Sequence, residues 1–385
     1  MLSSSITSLT VVLIVVFLFK EGIGLFNQKP VEPGYVIAIN KNNKVKELSS
    51  VQLKNIYDQK ITHWSEVGGT HDSIVLFQLE DISNYYSDEQ IGDNMQNLGS
   101  CMSRLVDSLP NIIAFFPDKY LDKKFQGTLL EVDKVTLHDF FAGKEWIPTA
   151  KPSAQLGVLP LILGTLWVSL GAILLALPLG LAAAVYMSEI ANERVRRIMK
   201  PLIELLAGIP SVVYGFFGLV IIVPLIQKTF DLPVGETGLA GSIVLGIMAL
   251  PTIITISEDA MRNTPRAMKE ASLALGASRW QTIYKVIIPY SISGISAGAI
   301  LGIGRAIGET MAVLMVTGNA AVIPHSILAP VRTIPATIAA ELGETSNGGL
   351  HYKALFALGC ILFLITLFIN LTVEFISNRQ KHNKH

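Results

Sequence analysis

Two ionisable side chains, Arg305 and Glu309, stand in an otherwise apolar part of the sequence. They are four residues apart, so in a helix they share one face. A charge at the centre of a bilayer costs about 2.5–3.5 kcal/mol on insertion scales, so such residues normally face the protein interior or a water-filled path. One interpretation is that the two residues form an ion pair that locks two helices together. The other is that the planar guanidinium of Arg305 donates hydrogen bonds to an oxyanion as it crosses the membrane, and that Glu309 modulates how available the guanidinium is to the ion.

A polar segment at 270–289 lies between two long apolar segments. Its apolar helical surface comes from Ala271, Leu273, Ala274 and Leu275. Glu270 stands where a carboxylate favours a helix start, and Gly276 can end that helix or form a sharp turn. Pro289 is predicted to interrupt a second helix as the chain re-enters the bilayer. The pattern predicts a short helix on which a soluble protein docks, with a segment lying on anionic lipid as the alternative.

The sequence gives no sign of enzyme chemistry. It has no Gly-x-x-x-x-Gly-Lys-Ser/Thr loop to cradle ATP phosphates, so we predict a protein that is not an enzyme and has no cofactor. Cys101 and Cys360 fall in different environments, and His63 and His71 belong to no cluster with ligand spacing. We therefore expect no disulfide and no metal site. The net charge is zero, and nothing in it favours a nucleic-acid partner.

The composition is that of a membrane protein. Half of the 385 residues are hydrophobic and 16% are charged, against roughly 25% charged in soluble domains. Six charge-free runs come near or exceed the roughly 18 residues that a spanning helix requires. These predicted spans are 2–19, 152–188, 205–227, 237–257, 286–304 and 354–373. The first run lacks a basic lead-in and a small-residue cleavage site, so we interpret it as a retained anchor rather than a signal peptide.

Basic residues in the loops predict the orientation of these spans. Lysines and arginines cluster after the second, fourth and sixth spans, and the positive-inside rule places those segments in the cytoplasm. The long loops at 28–150 and 319–353 then face outward. We divide the chain into a first transmembrane anchor at 1–27, an extracytoplasmic insertion at 28–150, a transmembrane core at 151–378 with a cytoplasmic loop at 258–290, and a basic cytoplasmic tail at 379–385.

The insertion at 28–150 is predicted to be a small α/β domain. Short apolar runs at Tyr35–Ile39 and Ile74–Leu79 are typical of strands, and the apolar spacing at Leu48–Tyr57 is typical of a helix. A charged segment of this length with such alternation is a folded domain rather than a linker.

Part of this insertion, residues 47–69, resembles a segment of periplasmic phosphate-binding proteins, in which a helix leads into a Trp and a Val-Gly-Gly turn. In that family a Ser-Gly-Thr turn at a helix N-terminus contacts phosphate. Here no Gly-Thr follows the serine after Phe77, and Glu80 and Asp81 add unfavourable charge. We interpret the domain as a degenerate one that docks a partner rather than binding phosphate.

The polar loop itself resembles the signature cytoplasmic loop of ABC-transporter permeases: Glu-Ala-Ala, three residues, Gly, nine residues, Ile-x-Leu-Pro. The matching residues are Glu270, Ala271, Gly276 and Pro289, with conservative departures at Ser272, Val286 and Ile288. Other stretches are similar to the first permease subunit of phosphate-transport systems: 145–148, 156–165, 178–180, 186–189, 209–215 and 304–313. Thr310 and Met311 follow the Arg-Ala-x-Gly-Glu element, as in phosphate permeases; a Phe usually follows it in sulfate and molybdate permeases.

This resemblance implies a mainly α, polytopic membrane protein with six transmembrane helices in a type I ABC-importer permease fold. It implies that Arg305 and Glu309 take part in phosphate passage, and that the short helix predicted before Gly276 inserts into a groove on an ATP-binding subunit. The implied partners are a second, similar permease subunit, two copies of the ATP-binding subunit, an external phosphate-binding protein and the lipid of the bacterial inner membrane.

Three alternative functions remain open from the sequence. The permease could carry another tetrahedral oxyanion, sulfate or molybdate. The protein could instead be a membrane sensor in which the 28–150 domain detects a ligand and needs no ATPase. A secondary transporter is the third alternative, but it leaves the Glu270–Pro289 spacing without an explanation.

Overall fold

The computed structural model describes residues 2–92, 95–122 and 125–382. The chain forms two compact units. One comprises the chain up to Val158 together with Ser346–Ala354, and the other comprises Leu159–Thr345 together with the chain from Leu355 onward. The domain limits predicted from composition stay predictions. Of the tail predicted at 379–385, residues 383–385 lie outside the described part of the chain.

The first unit contains a long apolar helix followed by an α/β region. Its helices are α1 (Leu2–Ile23), α2 (Ser50–Tyr57), α3 (Asp88–Ile91), α4 (Leu98–Ser108) and α5 (Leu137–Ala142). Its strands are β1 (Tyr35–Ile39), β2 (Glu47–Leu48), β3 (Val75–Gln78), β4 (Ile112–Pro117), β5 (Thr128–Leu129), β6 (Glu131–Val132), β7 (Trp146–Ile147) and β8 (Gln155–Leu156). The expected α/β character is confirmed: β1, β3 and α2 lie where the apolar patterns predicted two strands and a helix.

The main sheet has the strand order β3-β4-β1-β5. Strand β4 lies between β3, which runs parallel to it, and β1, which runs antiparallel to it, and β1 also pairs with β5 in antiparallel fashion. Two short pairs complete the unit: β2 runs parallel to β6, and β7 runs antiparallel to β8.

Both faces of this sheet are buried. Side chains alternate between the two faces along a strand, so β1 and β4 each contribute to two clusters. Ile37, Ile39, Ile113 and Phe115 pack with Leu53 and Ile56 of α2. Ala38, Ala114 and Phe116 pack with Met102, Leu105 and Val106 of α4. The double coverage explains why β4 is an unbroken apolar run rather than an alternating one.

Trp64 closes the α2 side of this core. The side chain is fully buried, and its indole N–H donates a hydrogen bond to the carbonyl oxygen of Asn111 at 2.9 Å. Asn111 directly precedes β4, so the bond ties the turn after α2 to the central strand. The Trp predicted to lead into the Val-Gly-Gly turn is therefore a core residue.

We expect Trp64→Ala to destabilise the α/β region by about 3–5 kcal/mol, because the substitution leaves a large cavity in the core. It also removes one of the two hydrogen bonds that the Asn111 carbonyl accepts, the other coming from the Val75 N–H. Hydrogen–deuterium exchange on the full-length protein in detergent should show faster exchange of the β3 and β4 amides. The control is Leu129→Ala, since that side chain is 43% exposed. Equal exchange in the two variants would contradict the role given to Trp64.

The second unit is helical. Its helices are α6 (Leu159–Val185), α7 (Glu193–Gly208), α8 (Ser211–Phe217), α9 (Val223–Phe230), α10 (Gly238–Arg262), α11 (Arg266–Ala274), α12 (Arg279–Thr282), α13 (Ile288–Gly308), α14 (Met311–Val316), α15 (Ile334–Glu341) and, from Leu355 onward, α16 (Leu350–His382). Three π-helical segments join neighbouring helices or extend them: Tyr186–Ile190, Gly218–Ile222 and Ile283–Ile287.

Six helices among the described residues are long and apolar enough to cross a membrane. They are Ile6–Asn27, Leu159–Ile190, Ser211–Phe230, Gly238–Arg262, Arg279–Gly308 and Leu350–Phe375. Each overlaps one predicted span, so the number and order of the spans are confirmed.

Helix α10 lies between α6 and α13, and small residues allow the close approach. A Cβ added at Gly171 of α6 would lie 2.3 Å from the Ser242 hydroxyl, and one added at Gly294 of α13 would lie 2.3 Å from the Ala260 side chain. Close backbone approach of this kind is how helices associate where water gives no hydrophobic driving force.

Candidate functional site

The fifth span is broken between Arg305 and Glu309. Helix α13 ends at Gly308, and Glu309 has extended backbone angles, with φ −70° and ψ 134°. Helix α14 begins two residues later, at Met311. The prediction that Arg305 and Glu309 share one helix face is therefore wrong.

The side chain of Glu309 explains where the second helix begins. Its Oε1 accepts a hydrogen bond from the backbone N–H of Ala312 at 3.4 Å. A carboxylate at a helix N-terminus satisfies a backbone donor that has no partner within the helix and interacts favourably with the helix dipole. Glu309 directly precedes Thr310, the N-cap residue of α14, and its side chain bonds to the first turn of α14 instead of continuing α13. Helical spacing alone cannot reveal this arrangement.

Arg305 is half-buried in the last turn of α13. Within the described part of the chain, no carboxylate oxygen lies within the 4 Å ion-pair distance of its guanidinium. It lies within electrostatic range of Tyr214, whose hydroxyl donates a hydrogen bond to the carbonyl oxygen of Leu206 at 2.8 Å. Among the described residues, Arg305 therefore forms no Arg–Glu ion pair that would lock two helices together, and no carboxylate there occupies its donors.

The residues at the break are accessible to solvent. Gly308 is exposed, and Glu309 and Thr310 are half-buried. Helix α14 continues the element by packing beside α8, where a Cβ on Gly215 would lie 2.9 Å from the Cα of Ala312. Non-helical backbone at membrane depth is tolerated only where protein covers it or where it lines a water-filled cavity. Arg305, in the last turn of α13, and Glu309, in the non-helical segment that follows, thus place two charged residues at this break.

The polar loop contains two short helices joined by a turn. Helix α11 begins at Arg266, directly after Pro265. Glu270 is the fifth residue of α11, so the prediction that its carboxylate lies at the helix start is wrong. The helix begins a turn earlier because proline is well tolerated at a helix N-terminus, where no backbone N–H is needed.

Gly276 forms the predicted turn. Its φ is +85°, a left-handed conformation that glycine adopts without steric cost. Its N–H donates to the carbonyl oxygen of Leu273 at 3.0 Å, and the N–H of Ala277 donates to that of Ser272 at 3.2 Å. These bonds satisfy carbonyls at the end of α11. Ser278 then caps α12 through a hydrogen bond from Gln281.

Pro289 does not interrupt the second helix. Helical structure runs without a break from Arg279 to Gly308, and Pro289 lies in the first turn of α13, directly after the π-helical segment Ile283–Ile287. A π-helical turn changes the hydrogen-bond spacing of the backbone, which accommodates a residue that lacks an N–H. The prediction made for Pro289 is therefore wrong, and the break in this span lies at its other end.

The loop presents an unpaired apolar surface. Helix α11 contributes no buried residue, and Leu275 is 89% exposed. Met268 and Leu273 are exposed as well. A helix with this much exposed apolar surface beside charged residues is suited to docking in a groove of another protein.

One charged cluster was missed by the sequence reasoning. Glu258, near the end of α10, is almost fully buried, and Arg196, Lys200 and Arg262 approach its carboxylate at 3.6–3.8 Å. The only local signal was the four-residue spacing of Glu258 and Arg262, because the other two cations come from α7. The described residues contain no group of three or more metal-ligating side chains.

Comparison with known proteins accounts for this arrangement. Residues 176–382 match the model of the family described as binding-protein-dependent transport system inner membrane component. The chain belongs to this family. The permease is therefore a multi-pass membrane protein of the ABC-importer type, and it is a transport component rather than an enzyme.

Individual relatives narrow the type of permease. The chain is 41% identical over 250 residues to the probable ABC transporter permease protein YqgH of Bacillus subtilis, covering 65% of this chain and 81% of the relative. It is 39% identical over 249 residues to the phosphate transport system permease protein PstC of Mesorhizobium japonicum, covering 60% of this chain and 75% of the relative. The permease is thus PstC-like. Its structure also aligns with an inward-facing methionine ABC transporter, MetNI, with a TM-score of 0.45 at 19% identity over 57% of this chain and 96% of that one.

Proposed function

We propose that the permease is one subunit of an ATP-driven importer of inorganic phosphate in the bacterial inner membrane. The observation that carries the proposal is the half-buried guanidinium of Arg305, which has no carboxylate partner among the described residues and stands beside a break in a membrane-spanning helix. Several relatives named as phosphate transport system permeases support the choice of ion.

Arg305 has the chemistry that phosphate recognition requires. The guanidinium is always charged and presents a rigid fork of donors that matches two oxygens of a tetrahedral oxyanion. Glu309 lies near enough along the chain to repel a bound anion, and its carboxylate is already oriented by the bond from Ala312. We assign Arg305 to holding the ion in the pathway and Glu309 to keeping that hold weak enough for release.

Phosphate movement is proposed to depend on partner proteins. A second, similar permease subunit completes the pathway, and an external phosphate-binding protein delivers the ion. The complex contains two copies of an ATP-binding subunit, and one of them grips the exposed surface of α11, with Glu270, Ala271 and Gly276 in the docking segment. The insertion at 28–150 is proposed to face outward and to dock a partner.

Uptake of radiolabelled phosphate tests this function. The permease should be expressed with its partner permease and ATPase in cells that lack their own phosphate import. We expect ATP-dependent phosphate uptake that a large excess of unlabelled sulfate or molybdate leaves unchanged. Competition by sulfate or molybdate would instead identify a permease for another oxyanion, and ligand binding without any requirement for an ATPase would indicate a sensor.

A further inference from the structure

We propose that the ion pair between Lys269 and Glu189 is the tie through which movement of the ATPase-gripped helix α11 reaches the second membrane span. This inference rests on the proposed function and assigns a positioning role to two residues outside the ion pathway. Lys269 belongs to α11, and Glu189 belongs to the π-helical segment that ends the second span.

Polar bonds hold α11 to the rest of the permease. No residue of α11 is buried, so apolar packing among the described residues contributes little to fixing its position. Lys269 Nζ donates to Glu189 Oε1 at 2.6 Å, and the Ser272 hydroxyl bonds to that of Thr282 at 3.0 Å. The second bond reaches only α12, at the start of the fifth span. The first is therefore the tie to the second span.

The geometry of this ion pair makes it stiff. The side chains of Lys269 and Glu189 are only 23% and 13% exposed, so solvent and salt screen the pair much less than they screen a surface pair. Charge-assisted bonds of this length are also stronger than neutral ones. When a docked protein displaces α11, the displacement is thus transmitted to Glu189 and is not absorbed by rearrangement of the two side chains.

The charge network continues from Glu189 into the neighbouring helices. Arg196 of α7 donates hydrogen bonds to the carbonyl oxygens of Met187 and Ser188, just before Glu189. These carbonyls end a helix and have no partner within it. The same guanidinium lies 3.8 Å from the carboxylate of Glu258 on α10, which is 2% exposed.

The Glu258 cluster makes the far end of this network resistant to rearrangement. A buried carboxylate without its cations is strongly destabilising, so α7, which bears Arg196 and Lys200, must move together with α10. The second span, α7 and α10 therefore respond to α11 as one body. The chain at 263–265 joins α11 to α10, and the Lys269 side chain joins α11 to the second span.

The test compares transport per ATP hydrolysed in the complete complex, reconstituted in vesicles. The variants are Lys269→Met, Glu189→Gln and the double reversal Lys269→Glu with Glu189→Lys. We expect each single variant to bind the ATPase and hydrolyse ATP normally but to import about tenfold less phosphate per ATP, a typical size for coupling between sites. The double reversal should restore most of the loss. The matched control is Lys285→Met, an exposed lysine of the same loop that forms no ion pair among the described residues.

Unchanged import per ATP in the single variants would overturn the inference, as would a double reversal no better than either single variant. If a single variant fails to assemble, Glu189→Asp keeps the charge and withdraws it by one methylene, and it should lower import per ATP by an intermediate amount. The proposed function is judged separately, on the wild-type complex. If that complex imports sulfate and not phosphate, the same comparison is made with sulfate.

Discussion

Replacing Arg305 by alanine is expected to reduce phosphate uptake by about a hundredfold, while the permease still assembles with its ATPase. Each hydrogen bond to a charged group contributes about 1.5–3 kcal/mol, and a bidentate contact therefore loses about 3 kcal/mol or more, which is about a hundredfold at 1.4 kcal/mol per tenfold. Initial rates of radiolabelled phosphate uptake measure the loss, and co-purification of the ATPase shows that the variant is assembled.

The variant Arg305→Lys distinguishes the contribution of the positive charge to phosphate uptake from that of the planar guanidinium. Lysine keeps the positive charge but loses the planar fork that fits two oxygens at once, so its uptake should fall between that of the wild type and that of Arg305→Ala.

A third variant, Glu309→Gln, retains an oxygen that can accept the bond from the Ala312 N–H and removes the charge. We expect it to keep the break in the helix and to bind phosphate more tightly. Full uptake by Arg305→Ala would remove the direct role of this residue.

The features that could be predicted from the sequence are those determined by residues close together in the chain. A spanning helix needs roughly twenty apolar residues because its backbone must be satisfied within the bilayer, and each predicted span overlaps a helix of the structure. Strand β1 was predicted at its exact limits, Tyr35–Ile39, because its apolar residues are continuous and bounded by polar ones. The turn at Gly276 was equally local, since few residues other than glycine adopt its backbone conformation.

The incorrect predictions for Glu309 and Pro289, and the failure to predict the Glu258 cluster, have a different cause: each depends on structure that the local sequence pattern does not show. The break at Gly308 depends on the bond from Glu309 to the first turn of α14, and α14 is held in place by packing beside α8, far away in the sequence. The continuity of the helix through Pro289 depends on a π-helical segment. Such a segment leaves no mark in the pattern of apolar residues. The Glu258 cluster forms only when α7 lies against α10. The family resemblance identified the segments that carry the candidate site. The positions of the residues within those segments could be determined only from the folded structure.

Gly276→Val is expected to reduce the amount of ATPase that co-purifies with the permease by about tenfold. A non-glycine residue in the left-handed region costs about 1–2 kcal/mol, and a β-branched side chain is an outlier there. A Cβ at this position meets no atom of a more distant residue within 4 Å, so the expected cost comes from the local backbone conformation. The chain relieves the strain by changing the turn, which moves Leu275 and the end of α11 away from the orientation that a docking groove accepts.

The matched control is Gly276→Asn, because asparagine also ends helices in the left-handed conformation. If the turn is what matters, the asparagine variant should retain most of the ATPase while the valine variant loses it. Equal loss in both would mean instead that any side chain at this exposed position blocks the docked protein. Such a result would mean that Gly276 is needed because a side chain there overlaps the docked protein, and not because it sets the conformation of the turn. A Cβ at Gly276 meets no atom of a more distant residue of this chain within 4 Å. The ratio of ATPase to permease after purification, measured for the two variants in parallel, decides between these roles.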